Sequence, residues 1–297
     1  MLTIYCALFA EAQEIIRIFQ LKKENEQHHF EVFSDVEKEI RVVITGVGAI
    51  AAATAVAEIS NHYPPKRTDL VCNFGSCAAA GIPAGKVYLC NKLIEENSGR
   101  TFYPDICYRH PFAETELVSC GRIRTVGQME SDRKESPQSL YDMEAAAIYQ
   151  AANYYYGPHQ MIFLKVVSDH GVDEKQTAGS AAHAVDMRAW MEMLMKNAAS
   201  EICPYIEMLC GISRVQKKEY GRQALLCRKA EEEAEQLGKE LRCSAVMRGE
   251  LRQLLFYWQL TGTDYKTVLE NYRRQGSLPV RDKREGKRIL DELKARL

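Results

Sequence analysis

Residues 141–147 read YDMEAAA, and the run continues as IYQAA to residue 152. Alanine has the highest helix propensity, and its small side chain lets a helix pack close to a sheet. The helix dipole favours Glu144 in the first turn, and a carboxylate there can also accept two adjacent hydroxyl groups, such as those of a ribose. The stretch therefore predicts a buried helix after an acidic turn. Two roles remain open for it: an ordinary helix start with Met143 in the core, or a sugar-binding site.

Composition excludes several classes of protein. The chain has 297 residues, of which 46% are hydrophobic and 27% charged, as in ordinary soluble globular proteins. Its ten cysteines stand singly, which favours reduced thiols in a cytoplasmic protein over a disulfide framework or a metal site. The apolar N-terminus lacks a basic region and is interpreted as a first strand rather than a signal peptide. No apolar run approaches the roughly 18 residues of a membrane span.

Charge is divided unevenly along the chain. Residues 1–213 carry 19 Lys and Arg against 27 Asp and Glu, a net charge of −8, whereas residues 214–297 carry 20 against 13, a net charge of +7. This asymmetry predicts two parts, an α/β domain over 1–213 and a basic, all-helical extension over 214–297.

Hydrophobic patterning alternates between strands and helices before residue 213. Strands are predicted at 3–8, 30–33, 40–45, 70–74, 86–90 and 161–167, and helices at 10–19, 49–59, from 144 onward and 181–209. This order indicates a three-layer α/β/α sandwich with a mixed central sheet. In such folds ligands bind beyond the carboxyl ends of the strands. After residue 213, helices are predicted at 220–241, 251–258, 264–274 and 282–297.

Two glycine-containing stretches follow predicted strands. Residues 46–51, GVGAIA, superficially fit a dinucleotide-binding fingerprint, but the strand is not the first of a βαβ unit and no acidic residue ends a strand about 20 residues later. We expect instead a tight turn in which N–H groups, including that of Gly48, can face a polar ligand. Gly75 and Ser76 could let the backbone approach a ligand closely, or could form a plain strand-ending turn.

Acidic residues follow two other strands. Ser168 and Asp169 end the predicted strand 161–167, where a partly desolvated aspartate could hold a proton and act as a general acid. The alternative is a helix cap or a turn aspartate. Glu11, considered alone, is most simply a glutamate in the first turn of a helix.

In this order, the motifs resemble the nucleoside phosphorylase/nucleosidase superfamily, and most closely its methylthioadenosine/S-adenosylhomocysteine nucleosidases. The resemblance covers roughly residues 1–209. It is carried by five short stretches, at residues 7–11, 45–48, 73–76, 142–145 and 165–169.

The resemblance implies a role for each site residue. Glu144 would bind the ribose hydroxyls, Met143 would line the face of the sugar, and Asp169 would protonate the leaving base. Glu11 would activate a water molecule beside Ser76. The implied reaction is hydrolysis of a purine nucleoside, such as a 5′-thio-substituted adenosine, by a homodimer with no metal or organic cofactor.

The sequence also departs from the family pattern. Phosphorylases of the family place arginines where this chain has Asn73 and the stretch 7–11, which favours hydrolysis over phosphorolysis, because phosphate binding needs fixed cations. Lys165 replaces the usual arginine of the nucleosidases. The segment between Gly81 and Asp142 is short, and residues 128–131 match no purine-binding pattern. A phosphorylase and a non-catalytic protein that binds a nucleoside or a partner are the alternatives.

The extension over 214–297 has two interpretations. Its surplus of Lys and Arg, interleaved with aromatic residues such as Trp258, could suit nucleic acid. Mixed charge, as in RKAEEE at 228–233, is more typical of a solvated helix face. We therefore expect a helical module that packs or binds a protein partner, with nucleic-acid contact as the lesser alternative.

Overall fold

The protein is described by a computed structural model that covers residues 1–25, 28–132, 139–172 and 181–295. The chain divides into two compact units, Met1–Val215 and Gln216–Leu297. This division lies two residues from the boundary that the charge asymmetry predicts. The two units are described separately.

The elements of the first unit alternate between strands and helices. The strands are β1 (Leu2–Cys6), β2 (Lys22–Lys23), β3 (Glu31–Ser34), β4 (Ile40–Ile44), β5 (Leu70–Ala79), β6 (Val87–Glu95), β7 (Thr101–Phe102), β8 (Ala113–Ser119), β9 (Leu140–Asp142) and β10 (Met161–Asp169). The helices are α1 (Phe9–Ile18), α2 (Ala49–His62), α3 (Val126–Asp132), α4 (Ala145–Ala152) and α5 (Ala181–Glu240), the last of which continues beyond the unit.

These strands form a single mixed sheet, as predicted. β1 pairs in parallel with β4 and β5, and β5 pairs in parallel with β10. β3 pairs antiparallel with β2 and β4 at one edge. At the other side, β5, β9, β8, β6 and β10 pair in sequence and close on themselves. The carboxyl ends of β1, β4, β5 and β10 consequently meet at one edge, where a ligand site is expected.

Helices cover both faces of the sheet. Along β1, Ile4 belongs to one core cluster with apolar residues of α1 and the first part of α5. Tyr5 belongs to a second cluster with residues of α2 and α4. Every residue of β1 is buried, as expected for a strand with helices on both sides. The predicted three-layer α/β/α sandwich is confirmed.

The sequence-based prediction was wrong about the end of β5. Gly75 and Ser76 do not form a turn after the strand but lie inside it, paired with Lys165 and Val166 of β10. A Cβ atom added at Gly75 would lie 3.0 Å from Oε1 of Glu11. The glycine is therefore needed because a carboxylate packs against the strand at this point.

Two further elements differ from prediction. Helix α5 runs without a break through residues 210–219, where two separate helices were expected. This stretch contains no proline, and its single glycine, Gly211, can be accommodated in a helix. The segment 95–139, which the sequence left unassigned, contributes the end of β6, all of β7 and β8, and α3; residues 133–138 lie outside the described residues.

The second unit is helical, as predicted, and contains the end of α5 together with α6 (Ala245–Thr261), α7 (Tyr265–Arg274) and α8 (Lys283–Lys294). Ser244, Asp264 and Asp282 each cap a helix by accepting backbone N–H groups, an arrangement that stabilises a helix start by about 1 kcal/mol. Leucine, isoleucine and aromatic side chains, including Trp258, fill the core between these helices. None of the described helices is long and apolar enough to cross a membrane.

We predict that Gly286→Ala destabilises the second unit. A Cβ atom at Gly286 would collide with the carbonyl oxygen of Leu241, and overpacking of this kind costs about 1–3 kcal/mol. Gly249→Ala is the matched control: it also lies within a helix, but its Cβ meets nothing within 4 Å, so the higher helix propensity of alanine should stabilise the unit by up to about 1 kcal/mol. Thermal unfolding of the full chain, followed by circular dichroism, measures both changes. Equal effects of the two substitutions would contradict the predicted close packing at Gly286.

Candidate active site

A pocket of about 390 Å³ lies at the carboxyl edge of the sheet. Its walls come from the β1–α1 connection, β5, the segment after β8, the β9–α4 connection and the end of β10. Four carboxylates line it: Glu11, Asp142, Glu144 and Asp169. So do two arginines, Arg122 and Arg124. The pocket therefore brings acidic and basic groups into one cavity.

Glu11 connects helix α1 to strand β5. Its Oε2 accepts the backbone N–H of Leu8 at 3.0 Å, which completes the first turn of α1. Its Oε1 accepts both the backbone N–H and the hydroxyl of Ser76, at 2.8 and 2.7 Å. The residue is only 2% exposed. Glu11 is thus the first-turn glutamate that the simplest interpretation predicts and also a carboxylate fixed at the wall of the pocket.

Asp142 is held by three polar contacts. Its Oδ1 accepts the hydroxyl of Ser119 at 2.6 Å, and its Oδ2 accepts the N–H of Ala145 at 2.9 Å. Oδ2 also forms a 2.8 Å ion pair with Nζ of Lys165, in which both side chains are 1% exposed. Burial alone would lower the pKa of Lys165, but the carboxylates of Asp142 and Glu144 outweigh burial and raise it above its ordinary value. Lys165 therefore stays charged, and the pair fixes the start of α4.

Glu144 lies at the N-cap position of α4, and its Oε1 accepts the backbone N–H of Gly48 at 2.7 Å. This contact joins the glycine turn after β4 to the β9–α4 connection, so Gly48 orients the carboxylate. Burial raises the pKa of Glu144 above its ordinary value, while Lys165 and the Gly48 N–H oppose the increase. Met143, next to it, is half-buried and lines the pocket.

Asp169 ends β10 in a well-defined hydrogen-bond arrangement. Its Oδ1 accepts the N–H of Gly171 at 2.9 Å, and its Oδ2 lies 2.7 Å from the hydroxyl of Ser168. The same hydroxyl lies 3.1 Å from the carbonyl oxygen of Cys77. Because Ser168 has one hydroxyl proton, it can donate to the carboxylate, or donate to Cys77 and accept a proton from a carboxylic acid. The Ser168 hydroxyl can therefore serve Asp169 as a hydrogen-bond donor or as an acceptor.

The wall after β8 was not anticipated from the sequence. Cys120, Arg122, Ile123 and Arg124 line the pocket there, whereas residues 128–131 lie on α3. The sequence feature that could have predicted this wall is the alternation in residues 113–119. Thr115, Leu117 and Ser119 are buried there, and the residues between them are partly exposed. That period of two predicts a strand, and the residues after it reach the same edge of the sheet.

Six of the nine predicted site residues line the pocket: Glu11, Ser76, Met143, Glu144, Ser168 and Asp169. The other three, Gly48, Gly75 and Lys165, are not among its described lining residues but contact residues that are. Lys165 in particular is engaged by Asp142 rather than presented to the cavity. Among the described residues, no group of three or more His, Cys, Asp or Glu side chains is placed to hold a metal ion.

We predict that Lys165→Met destabilises the first unit by about 3–5 kcal/mol, because it leaves a buried carboxylate without its counter-charge. Adding Asp142→Asn should recover part of that loss. The measurement is a double-mutant cycle in urea. The control is Lys92→Met, which removes a half-exposed ion pair with Glu116 and should cost no more than about 1 kcal/mol. A coupling energy between positions 165 and 142 no larger than the Lys92 effect would contradict the role given to the buried pair.

Comparison with known proteins supplies structural neighbours only. No protein-family model and no curated protein matches the sequence. The methylthioadenosine/S-adenosylhomocysteine nucleosidase of Neisseria meningitidis, solved with methylthio-immucillin-A, superposes with a TM-score of 0.53 at 19% identity, covering 73% of this chain and 98% of that one. The 5′-methylthioadenosine nucleosidase of Arabidopsis thaliana gives 0.54 at 18% identity, covering 69% and 95%.

A third neighbour is named for a different substrate. The futalosine hydrolase of Helicobacter pylori gives a TM-score of 0.53 at 15% identity, covering 70% of this chain and 97% of that one. The neighbours are thus matched over nearly their whole length. The resemblance predicted from five short motifs is confirmed at the level of the fold: the α/β part of this chain has the architecture of the methylthioadenosine/S-adenosylhomocysteine nucleosidases.

Proposed function

We propose that the first unit hydrolyses the N-glycosidic bond of a purine nucleoside. The observation that carries this proposal is the convergence of Glu11, Glu144 and Asp169 on one pocket. Breaking a C1′–N bond leaves positive charge on the sugar and sends an electron pair to the base. A carboxylate near the sugar can stabilise the positive charge, and an acid at the base can protonate the leaving group.

In the proposed reaction, Asp169 gives its proton to a ring nitrogen of the base as the C1′–N bond breaks. A water molecule attacks C1′, and Glu11 accepts the proton that the water loses. Ser76, which donates its hydroxyl to Glu11, keeps the carboxylate in place. The products are the free base and the free sugar, and no further reactant is required.

Sugar binding is assigned to Glu144 and Met143. Gly48 occupies Oε1 of Glu144, so Oε2 is available to accept the ribose hydroxyl groups. Met143 provides an apolar surface against the ring. The compounds named for the structural neighbours, 5′-methylthioadenosine and S-adenosylhomocysteine, are the first 5′-thio-substituted nucleosides to test.

Water is favoured over phosphate as the nucleophile. Asn73, at the position where phosphorylases place an arginine, is 2% exposed and donates its amide to the carbonyl oxygen of Tyr5. Arg122 and Arg124 lie after β8, on the Asp169 side of the pocket, and Arg124 is already paired with Glu96 at 2.6 Å. Glu11 and Ser76, where a nucleophile would bind, are hydrogen-bonded to each other and have no arginine or lysine among their described hydrogen-bond or ion-pair partners.

We predict that the protein releases free base from a purine nucleoside in phosphate-free buffer, and that Glu11→Gln and Asp169→Asn each lower the rate by at least about 100-fold. A panel of nucleosides, each assayed by chromatography with and without phosphate, measures both effects. Glu14→Gln is the matched control, because Glu14 lies on the same helix but pairs with Arg17; it should retain near-normal activity.

The other outcomes of the panel are informative. Base release that requires phosphate would make the protein a phosphorylase. No release from any nucleoside would indicate a non-catalytic binding protein. Near-normal rates for both active-site variants would reject the roles given to Glu11 and Asp169.

We also predict that the acidic limb of the pH dependence of kcat/KM has its midpoint at a higher pH than an ordinary glutamate would give. Glu144 must be ionised to accept the sugar hydroxyls, and its pKa is raised above the ordinary value of 4.5, chiefly by burial. Activity should therefore fall, as the pH decreases, at a midpoint above 4.5. Circular dichroism over the same range controls for unfolding. A midpoint at or below 4.5 would contradict either the environment or the role of Glu144.

A further inference from the structure

The side of the pocket next to Asp169 carries two arginines that the proposed chemistry does not use. Arg122 and Arg124 lie between β8 and α3 and line the cavity. The backbone fixes their position beside the acid: the N–H of Val172 donates to the carbonyl oxygen of Arg124 at 3.1 Å, and the N–H of Val126 donates to the carbonyl oxygen of Val172 at 3.1 Å. Val172 follows Asp169 by three residues, and both line the pocket, so this segment lies next to the acid.

Arg124 is held rigidly. Its Nη2 lies 2.6 Å from Glu96 and 3.4 Å from Asp132, and its guanidinium lies over the ring of Tyr141, 5.5 Å from the centroid. Two carboxylates neutralise its charge. Its Nε–H, however, is buried and has no hydrogen-bond partner among the described residues. An orphaned buried donor of this kind is costly and is normally satisfied by a ligand or a water molecule.

Arg122 differs in its surroundings. Its side chain is exposed at the pocket, and within the described part of the chain no carboxylate lies within ion-pair distance of it. Guanidinium groups have five N–H donors and no acceptor. The carbonyl oxygens of Arg124 and Val172 are already engaged with backbone N–H groups. Apart from the carboxylate of Asp169, the side-chain groups that this wall offers to a base are therefore the N–H donors of Arg122 and Arg124.

We propose that this wall selects a 6-oxopurine, a base of the hypoxanthine or guanine class, through Arg122 and the Nε–H of Arg124. A 6-oxopurine presents two adjacent acceptors, O6 and N7, to which arginine binds in a bidentate manner, whereas a 6-aminopurine presents a donor at position 6. The amino group would face N–H groups and leave them unpaired. The inference rests on the proposed hydrolase function. It narrows the substrate from any purine nucleoside to one whose base has a hydrogen-bond acceptor at position 6.

The same donors would assist bond cleavage. As the C1′–N bond breaks, its electron pair moves into the base, and in a 6-oxopurine part of that negative charge develops on O6. A guanidinium at O6 stabilises this charge more in the transition state than in the ground state, while Asp169 supplies its proton to a ring nitrogen that the arginines do not occupy.

The test uses two substrates that differ only at position 6, 5′-methylthioinosine and 5′-methylthioadenosine, with the full chain in phosphate-free buffer. We expect kcat/KM for the inosine compound to be about 10- to 100-fold higher, the range of one bidentate arginine contact.

Arg122→Ala should lower the inosine rate by about that factor and change the adenosine rate less than about 3-fold. Arg122→Lys, which keeps the charge but loses the planar fork, should recover only part of the preference. Arg100→Ala, an exposed arginine distant in sequence from the pocket wall, is the control and should leave both rates unchanged.

The outcomes separate this inference from the proposed function. Three results would overturn the base assignment and leave hydrolysis intact. These are equal rates for the two compounds, a higher rate for the adenosine compound, and an equal loss of both rates in Arg122→Ala. If neither compound is cleaved, the hydrolase proposal fails for these substrates, and calorimetric binding of hypoxanthine against adenine decides the base assignment. Tighter binding of hypoxanthine would support it; equal binding, tighter binding of adenine, or binding of neither base would overturn it.

Discussion

The candidate site depends on the buried ion pair between Lys165 and Asp142. Two charges with 1% exposure would each cost several kcal/mol to desolvate if they stood alone. Here Asp142 also accepts hydrogen bonds from Ser119 and Ala145, so its lone pairs are occupied by groups from β8, α4 and β10. The pair therefore connects three elements at the point where α4 begins. Since Met143 and Glu144 lie between β9 and α4, their positions follow from that connection.

The pocket carboxylates combine structural and chemical roles. Glu11 completes the first turn of α1 and also receives two hydrogen bonds from Ser76, so the side chain proposed to activate water is held by the fold itself. Glu144 is held in the same way by Gly48. A group fixed by main-chain donors needs no reorganisation when a substrate binds, which is the condition for effective electrostatic catalysis. The same hydrogen bonds make two assignments of Glu11 compatible: an ordinary residue at the start of a helix and a residue of the candidate site.

The sequence predicted those features that depend on local patterning. Buried strands such as β1 and β10, and the alanine-rich helix α4, have apolar runs and helix propensities that few other structures satisfy. The interior position of Gly75 could not be predicted, because a Gly-Ser pair normally indicates a turn and only the packing of Glu11 against the strand explains it. The Lys165–Asp142 pair joins residues 23 positions apart in sequence, and no local pattern reveals such a contact. The wall formed by Arg122 and Arg124 was missed because strand β8 has weak alternation within a polar segment.

The distribution of charge in the pocket matches the charge separation of the proposed reaction. In the proposed reaction, Glu11 and Glu144 act at the sugar, where positive charge would develop. The backbone of Arg124 pairs with Val172, three residues after Asp169, near which the base would take up negative charge. Because Glu96 and Asp132 neutralise Arg124, the positive charge available to the base is that of Arg122, which would stabilise the polarised bond more than the intact nucleoside. Within a partly enclosed cavity this effect is stronger than in water, because the effective dielectric constant is lower. A site that only bound a neutral nucleoside would gain little from having both a fixed carboxylate such as Glu11 and a cation such as Arg122, unpaired among the described residues, in its pocket, so their presence together favours catalysis over binding alone.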